Sequence, residues 1–391
     1  MGLEENLGRF PDREARVFLN HAAVAPISRD AAGALRGYAD HAASHAYVDS
    51  GWYRTVGREA RELAARLMNA HDAGDPAGFG GDEIAHVPNT STGLALVAQG
   101  LDWRAGDEVV ISDVEYPANR YPWEHVAQTR GVRLVEVAQR DDFRVHVEDV
   151  VAAVTQRTRV VALSAVQFAS GHRIELRPIA DAVHAVGGYL CVDAIQALGV
   201  LPMDVRGDGV DFLAADGHKW LLGPEGAGVF FCRRELTDRL TPAVVGWLNM
   251  VDPDNYLDYR FEFAADARRF EPGTWNVPGA LALHASMKLL LDVGVGAIWE
   301  RVDALATHAA EGLAERGYRV VSPREMAGER SGIVIFEKPG ATAAEHRHLA
   351  AELDRRGITI AFRNGRLRVS PHAYNTAGQV DAFLEALGGI W

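Results

Sequence analysis

The sequence predicts a layered α/β protein: a mainly parallel sheet with helices on both faces, followed by a smaller α+β unit. Three observations carry this. From about residue 82 onward, short β-rich runs alternate with helical patterns. Runs such as VVALSAV and YLCVD are continuously apolar, as strands covered on both faces are. Near residues 265–280 the pattern changes to long amphipathic helices, then to a second set of strands and helices.

In chain order, strands are expected over 83–87, 108–112, 133–137, 159–166, 189–193, 212–215 and 228–232. Helical stretches such as 93–99 and 178–186 lie between them. The second of these opens with proline near its first turn and stops at Gly187-Gly188. One antiparallel strand within the set is compatible with this reading. Helices follow over 280–293 and 296–316, then strands over 318–322 and 332–337. A helix over 342–355, strands over 358–363 and 366–370, and a helix over 375–387 complete the chain. Thr342 with Glu345 and Thr376 with Gln379 have the spacing of capping boxes. The expected division is an N-terminal arm over 1–25, a large domain over 26–275 and a small domain over 276–391, with helix 280–293 as the bridge.

A chain of 391 residues suits two domains. Hydrophobic residues make up 48% and charged residues 24%, which excludes disordered and collagen-like chains. The net charge of −13 argues against a nucleic-acid partner, which needs clustered Lys and Arg. No apolar run reaches the ~18 residues of a membrane span, and MGLEENLGRFPDREARVF has no leader pattern. The expectation is a cytoplasmic protein with neither membrane nor nucleic acid as partner. Cys191 and Cys232 are too few for a disulfide framework or a four-cysteine zinc site, and no metal site is expected. Both fall in strands and read as small core residues.

Ligands in open parallel sheets gather at the carboxyl ends of strands. Asp193 ends one strand, with Gln196 a turn later. Gly217, His218 and Lys219 follow another. Tyr116 and Asn119 follow a third, and Thr90, Ser91 and Thr92 lead from a fourth into a helix. Each has an ordinary explanation alone: a solvated lysine, a turn-forming aspartate, an N-cap, a packing tyrosine. Together they match the needs of pyridoxal phosphate. That cofactor wants a lysine amine, an acid at its ring nitrogen, donors at a helix N-terminus for its phosphate, and a flat side chain against its ring. A nicotinamide site fits less well, because GPEGAG has the wrong spacing for a dinucleotide fingerprint. A non-catalytic pyridoxal-binding regulator would need a DNA-binding domain, for which there is no spare length.

ADGHKWLLGPEGAG at 215–228 and VDAIQALG at 192–199 resemble the cofactor-lysine and D-x-x-Q motifs of class V aminotransferases. That group includes cysteine desulfurases, selenocysteine lyases, isopenicillin N epimerases and kynureninases. FLNHAA at 18–23, EYPAN at 115–119, FEPGTWN at 270–276 and RLRVSPHAYNT at 366–376 extend the likeness over nearly the whole chain. The resemblance implies a type I pyridoxal-phosphate transferase fold and assigns roles. Lys219 is the Schiff-base lysine and proton shuttle. Asp193 pairs with the ring nitrogen, Gln196 with the phenolic oxygen, and Tyr116 stacks on the ring where the desulfurases carry a histidine. Thr90, Ser91 and His218 hold the phosphate, and Thr274 reaches the phosphate of the neighbour in a homodimer. Arg368 takes the substrate's α-carboxylate, with Arg363 and Arg366 as nearby competitors.

Three positions depart from the desulfurases. The loop before Arg368, GITIAFRNGRLR, has no cysteine for a persulfide. Phe168 stands about where they place an asparagine near the cofactor oxygen, with Gln167 beside it. Asp216 replaces a phosphate-contacting serine, and is expected to turn toward its own loop or His218, because a carboxylate beside a phosphate is repelled. The implied function is an aminotransferase or desulfurase-like β-lyase acting on a small α-amino acid, with an epimerase like the isopenicillin N enzyme as the alternative. His21, Trp52, Tyr53, Trp247, Asn249 and Trp275 are the positions expected to set substrate, His21 foremost.

Overall fold

Thirteen short strands form in the computed structural model, which describes residues 2–12, 14, 16–46, 48, 51–70 and 81–388. They are β1 (Val17–Phe18), β2 (Ile84–Val87), β3 (Glu108–Ser112), β4 (Arg133–Val137), β5 (Thr158–Ser164), β6 (Tyr189–Asp193) and β7 (Phe212–Asp216). The rest are β8 (Gly228–Cys232), β9 (Arg319–Val320), β10 (Val334–Glu337), β11 (Ile358–Thr359), β12 (Ala361–Arg363) and β13 (Arg366–Val369). Seven of them make one sheet in the order β2-β8-β7-β6-β5-β3-β4. All neighbours in it run parallel except β8, which is antiparallel to both β2 and β7.

The period of two along each strand explains why the runs are apolar throughout. Val161, Leu163, Leu190, Val192 and Leu213 enter one core, while Val160, Ala162, Cys191, Phe212 and Ala214 enter the other. Each large side chain so buried contributes about 1.5–3 kcal/mol. Helix Thr90–Gly100 lies close against the second face at Gly93, where an added Cβ would come 2.6 Å from that of Ala214. On the first side, helix Val277–Val293 packs on helices Arg29–His45 and Gly51–Leu67. Those two helices are absent from the reading of the sequence, which found its first element near residue 82. Among the described residues no single helix is long and apolar enough to cross a membrane.

The second sheet has the order β12-β13-β10-β9 and is antiparallel. Its two faces differ. Val334, Phe336, Leu367 and Val369 join a core with Leu305, Leu349 and Phe383 from helices Val295–Glu315, Ala343–Arg355 and Ala377–Leu387. Ile335, on the other face, joins the core of the large sheet. Both capping boxes are formed.

The expected strand 358–363 is divided. Ile358–Thr359 leaves the sheet and pairs in parallel with Val17–Phe18, whereas Ala361–Arg363 stays with β13. The N-terminal segment thus runs along the C-terminal unit. It continues through an Asn20–Ser370 bridge and then crosses to the large sheet, where Ala25 N donates to His218 O (2.8 Å) and Ser28 N to Leu222 O (2.9 Å).

Candidate active site

Lys219 follows the carboxyl end of β7 in a turn made rigid by backbone bonds. Gly217 N donates to Ala227 O (2.8 Å), Leu222 N to Lys219 O (3.0 Å) and Gly223 N to Gly217 O (2.9 Å). Leu222 is buried with φ of 53°, a left-handed conformation that leucine adopts only when its surroundings impose it. The Lys219 amine sits 5.6 Å from the centre of the Tyr116 ring. Burial pushes its pKa down against the pull of Asp193, and Arg368 and Arg363 push the same way. A free amine near neutral pH is the nucleophile that an aldehyde needs.

Asp193 ends β6 and is 2% exposed. Its Oδ1 accepts from Ile195 N at 3.0 Å. Burial raises its pKa, the neighbouring Glu115 adds to this, and Lys219 opposes it. Gln196 is held on two sides: Nε2 donates to Ala22 O (3.0 Å), and Oε1 accepts from Trp220 Nε1 (2.9 Å). One amide hydrogen of Gln196 is left for a ligand.

Thr90 is buried, and its hydroxyl accepts from Asp216 N at 3.0 Å, tying the helix N-terminus to the lysine loop. Ser91 beside it is exposed. The Asp216 carboxylate is taken up locally: Oδ1 accepts from Gly217 N (2.7 Å), and Oδ2 lies 3.0 Å from His218 Nδ1. The latter contact is close enough for charge attraction but off the axis of a directed hydrogen bond. The carboxylate therefore serves its own turn, as its misfit beside a phosphate led us to expect.

Tyr116 is 47% exposed, and Phe168 meets it edge-on at 5.1 Å. The backbone turns that carry them are tied together by Glu115. Glu115 is buried and accepts from Ser112 Oγ (3.0 Å), Asn119 Nδ2 (3.0 Å), Ser164 N (3.0 Å), Ser164 Oγ (2.5 Å) and Gln167 Nε2 (2.7 Å). It joins the ends of β3 and β5 to the Gln167–Phe168 turn. In EYPAN this glutamate directly precedes Tyr116 and lies four residues before Asn119, the spacing that lets its carboxylate accept from the asparagine.

Arg368 is 1% exposed, and burial lowers its pKa to about 9. Its hydrogen bonds are long, to Phe168 O and Asn20 Oδ1 at 3.4 Å each, and its Nε has no partner. Among the described residues no carboxylate pairs with it. A buried guanidinium so poorly compensated is costly unless an anion binds there.

The other expected residues are engaged in contacts of their own. His21 is fully buried, with Nδ1 2.9 Å from Ser370 O and Nε2 2.7 Å from the Tyr374 hydroxyl, so neither ring nitrogen is free for a substrate. Asn249 is buried and shapes a turn, bonding Gly246 N and Arg269 O. Thr274 is exposed; with Trp247 and Trp275 it lines a separate cleft of about 760 Å³. Trp275 packs there against His86 at 5.0 Å. Trp52 and Tyr53 fall in helix Gly51–Leu67, and their side chains lie outside the described residues. Another cavity, of about 910 Å³, contains neither Asp193, Lys219, Tyr116 nor Arg368; it is lined in part by the ion-paired Arg144 and Glu329.

The residues present fit pyridoxal phosphate. A lysine with a depressed pKa, a buried acid and an exposed ring beside the lysine stand at carboxyl ends of the large sheet, and an uncompensated buried arginine comes from β13 of the second. Lys219 would hold the aldehyde, Asp193 the ring nitrogen, Tyr116 the ring face, and Thr90, Ser91 and His218 the phosphate.

The family model for class V aminotransferases matches residues 17–383. A probable cysteine desulfurase of Pyrococcus abyssi is 29% identical over 341 residues, 84% of this chain and 82% of that protein. The isopenicillin N epimerase of Streptomyces clavuligerus is 30% identical over 99% of this chain and 98% of its own. Among solved structures, the Escherichia coli cysteine desulfurase CsdA superposes with a TM-score of 0.85 at 26% identity, covering 99% and 98% of the two chains. A cystine C–S lyase, solved with its product cysteine persulfide, shares the fold at TM-score 0.85 and 21% identity over 97% of this chain and 99% of its own. With this family match over nearly its whole length, the chain belongs to the class V aminotransferases and is a pyridoxal 5'-phosphate-dependent enzyme.

Proposed function

We propose that this enzyme acts on a small α-amino acid at its α-carbon, with Lys219 as the base, as an aminotransferase or a desulfurase-like β-lyase working without a persulfide cysteine. The observation that carries the reading is Arg368: a buried guanidinium with no carboxylate partner among the described residues, bonded to Phe168, which meets the ring beside Lys219. Its fork suits a substrate α-carboxylate.

When bound, the cofactor supplies a lysine-reactive aldehyde and a ring that takes up electrons from the α-carbon. The chain's own residues do the rest. Arg368 fixes the α-carboxylate. The Lys219 amine, set free by substrate, takes the α-proton, which its lowered pKa suits near neutrality. Asp193 would hold the ring nitrogen and keep it protonated, Gln196 would give its spare hydrogen to the phenolic oxygen, and Tyr116 would lie on the ring without an imidazole to move a proton.

Two features support the absence of a persulfide relay. Cys191 and Cys232 are the chain's cysteines, both are buried, and burial pushes both thiols up. We also infer a homodimer in which Thr274 completes the partner's phosphate site, and a division into a large unit over 26–275 and a small one over 276–391. The exposed Tyr256, Leu257, Tyr259 and Phe261 support the dimer.

The deciding experiment mixes the holoenzyme with single amino acids and measures keto acid, sulfide and enantiomer. Keto acid without ammonia or sulfide, its nitrogen kept on the cofactor, assigns transfer; sulfide from cysteine assigns β-lysis. Inverted enantiomer alone would replace this reading with epimerisation.

A further inference from the structure

Arg363 is not used by the mechanism above, and the sheet register places it beside Arg368. In the antiparallel pair β12–β13, Ala361 stands opposite Arg368 and Arg363 opposite Arg366. Opposed residues share a face, as do residues two apart, so Arg363 and Arg368 project from the same side. That side is the one turned to the large sheet. Leu367 and Val369 point the other way, into the helices. Phe362 does so too, since Arg347 of helix Ala343–Arg355 stacks on its ring at 4.8 Å.

The two guanidiniums are differently served from their neighbours. Arg366 is bound by Glu337 at 2.6 Å and lies over the Phe143 ring. Arg363 is exposed, and its hydrogen bond is to the adjacent Phe362 O. Among the described residues no carboxylate lies within ion-pair reach of Arg363 or Arg368. The charge of Arg363 also helps to lower the pKa of both Arg368 and Lys219.

We propose that Arg363 and Arg368 form a paired anion site that selects α-amino acids carrying a second carboxylate on the side chain. Resting on the function proposed above, this names the substrate class. Arg363 and Arg368 are diagonal neighbours across β12 and β13, about 7–8 Å apart at the backbone, a spacing that two long guanidinium side chains can close onto carboxylates joined by a chain of two or three carbons. Arg368 takes the α-carboxylate, and Arg363, nearer solvent, takes the distal one. A planar fork is matched to each.

The test titrates the holoenzyme with L-aspartate, L-glutamate and L-alanine while following the visible spectrum. At least one acidic amino acid should half-saturate at a concentration about tenfold or more below alanine. Arg363→Gln should remove that advantage while moving alanine less than about twofold, and Arg363→Lys should restore part of it. Equal half-saturation by acidic and neutral amino acids, or equal loss of both in Arg363→Gln, overturns the proposal while the parent function stands. A protein without a borohydride-bleachable visible band overturns both.

Discussion

Gln167 is oriented by Glu115: its Nε2 lies 2.7 Å from Glu115 Oε1 and 3.3 Å from Ser112 Oγ. A carboxylate accepts only, so it fixes which end of the amide is nitrogen. Both amide hydrogens are then used, and Gln167 Oε1 is buried without a donor. Gln167 therefore offers an acceptor, not the donor expected of an asparagine near a cofactor oxygen. Glu115→Ala leaves several buried donors unpaired and should lower unfolding free energy by about 3–5 kcal/mol. Glu115→Gln should cost less and still weaken cofactor retention, because Tyr116 and Phe168 lose their anchor. Urea midpoints and cofactor dissociation measure both; unchanged retention in Glu115→Gln would remove its positioning role.

Lys219→Ala should abolish the borohydride-bleachable absorbance and leave the far-ultraviolet circular dichroism unchanged. The residue is half-buried and makes no hydrogen bond through its side chain among those described, so the fold does not depend on it. An unaltered visible spectrum would show that another amine carries the cofactor.

Arg368→Ala should weaken α-amino acids by about tenfold to a hundredfold, the scale of a lost charge-assisted hydrogen bond, and affect simple amines little. It should not destabilise the protein strongly, since it removes a buried charge that the native contacts compensate poorly. Parallel loss of amines and amino acids in spectral titrations would make Arg368 structural.

Acid should destabilise the fold before carboxylates protonate. Burial lowers the pKa of His172 and of His372 to about 4, and lowers those of His21 and His86 as well. The folded state keeps these rings neutral, while the unfolded chain protonates them near pH 6.5. Between those values the unfolded state holds more protons, so stability falls as pH falls. From pH 7 to 5, His172 and His372 should each cost about 2 kcal/mol. Urea midpoints at the two pH values test this, and His372→Gln should flatten the slope.

Much of this was legible in the sequence where apolar period and strand-end chemistry coincide. The strands 108–112, 133–137, 189–193 and 228–232 match the sequence pattern to the residue, whether both faces are buried or, as in 133–137, one end lies exposed. What escaped depends on contacts distant in sequence. Val17–Phe18 is a strand only because Ile358–Thr359 lies beside it. His21 reads as a pocket residue until Tyr374 and Ser370 arrive from 350 residues away to close over it. Glu115 looks like a turn residue until β5 brings Ser164 to its carboxylate. Arg363 and Arg368 gain their meaning from a register that spacing alone does not give.

The N-terminal segment has two attachments with opposite loyalties. Residues 17–21 are laced to the C-terminal unit through Ile358, Thr359, Ser370 and Tyr374, whereas Ala22 and Ala25 grip Gln196 and His218 beside the lysine. One short backbone run therefore spans the whole distance from the strand of Arg368 to the loop of Lys219. The same run plugs both cores on its way, Leu19 into one and Ala22 and Ala25 into the other.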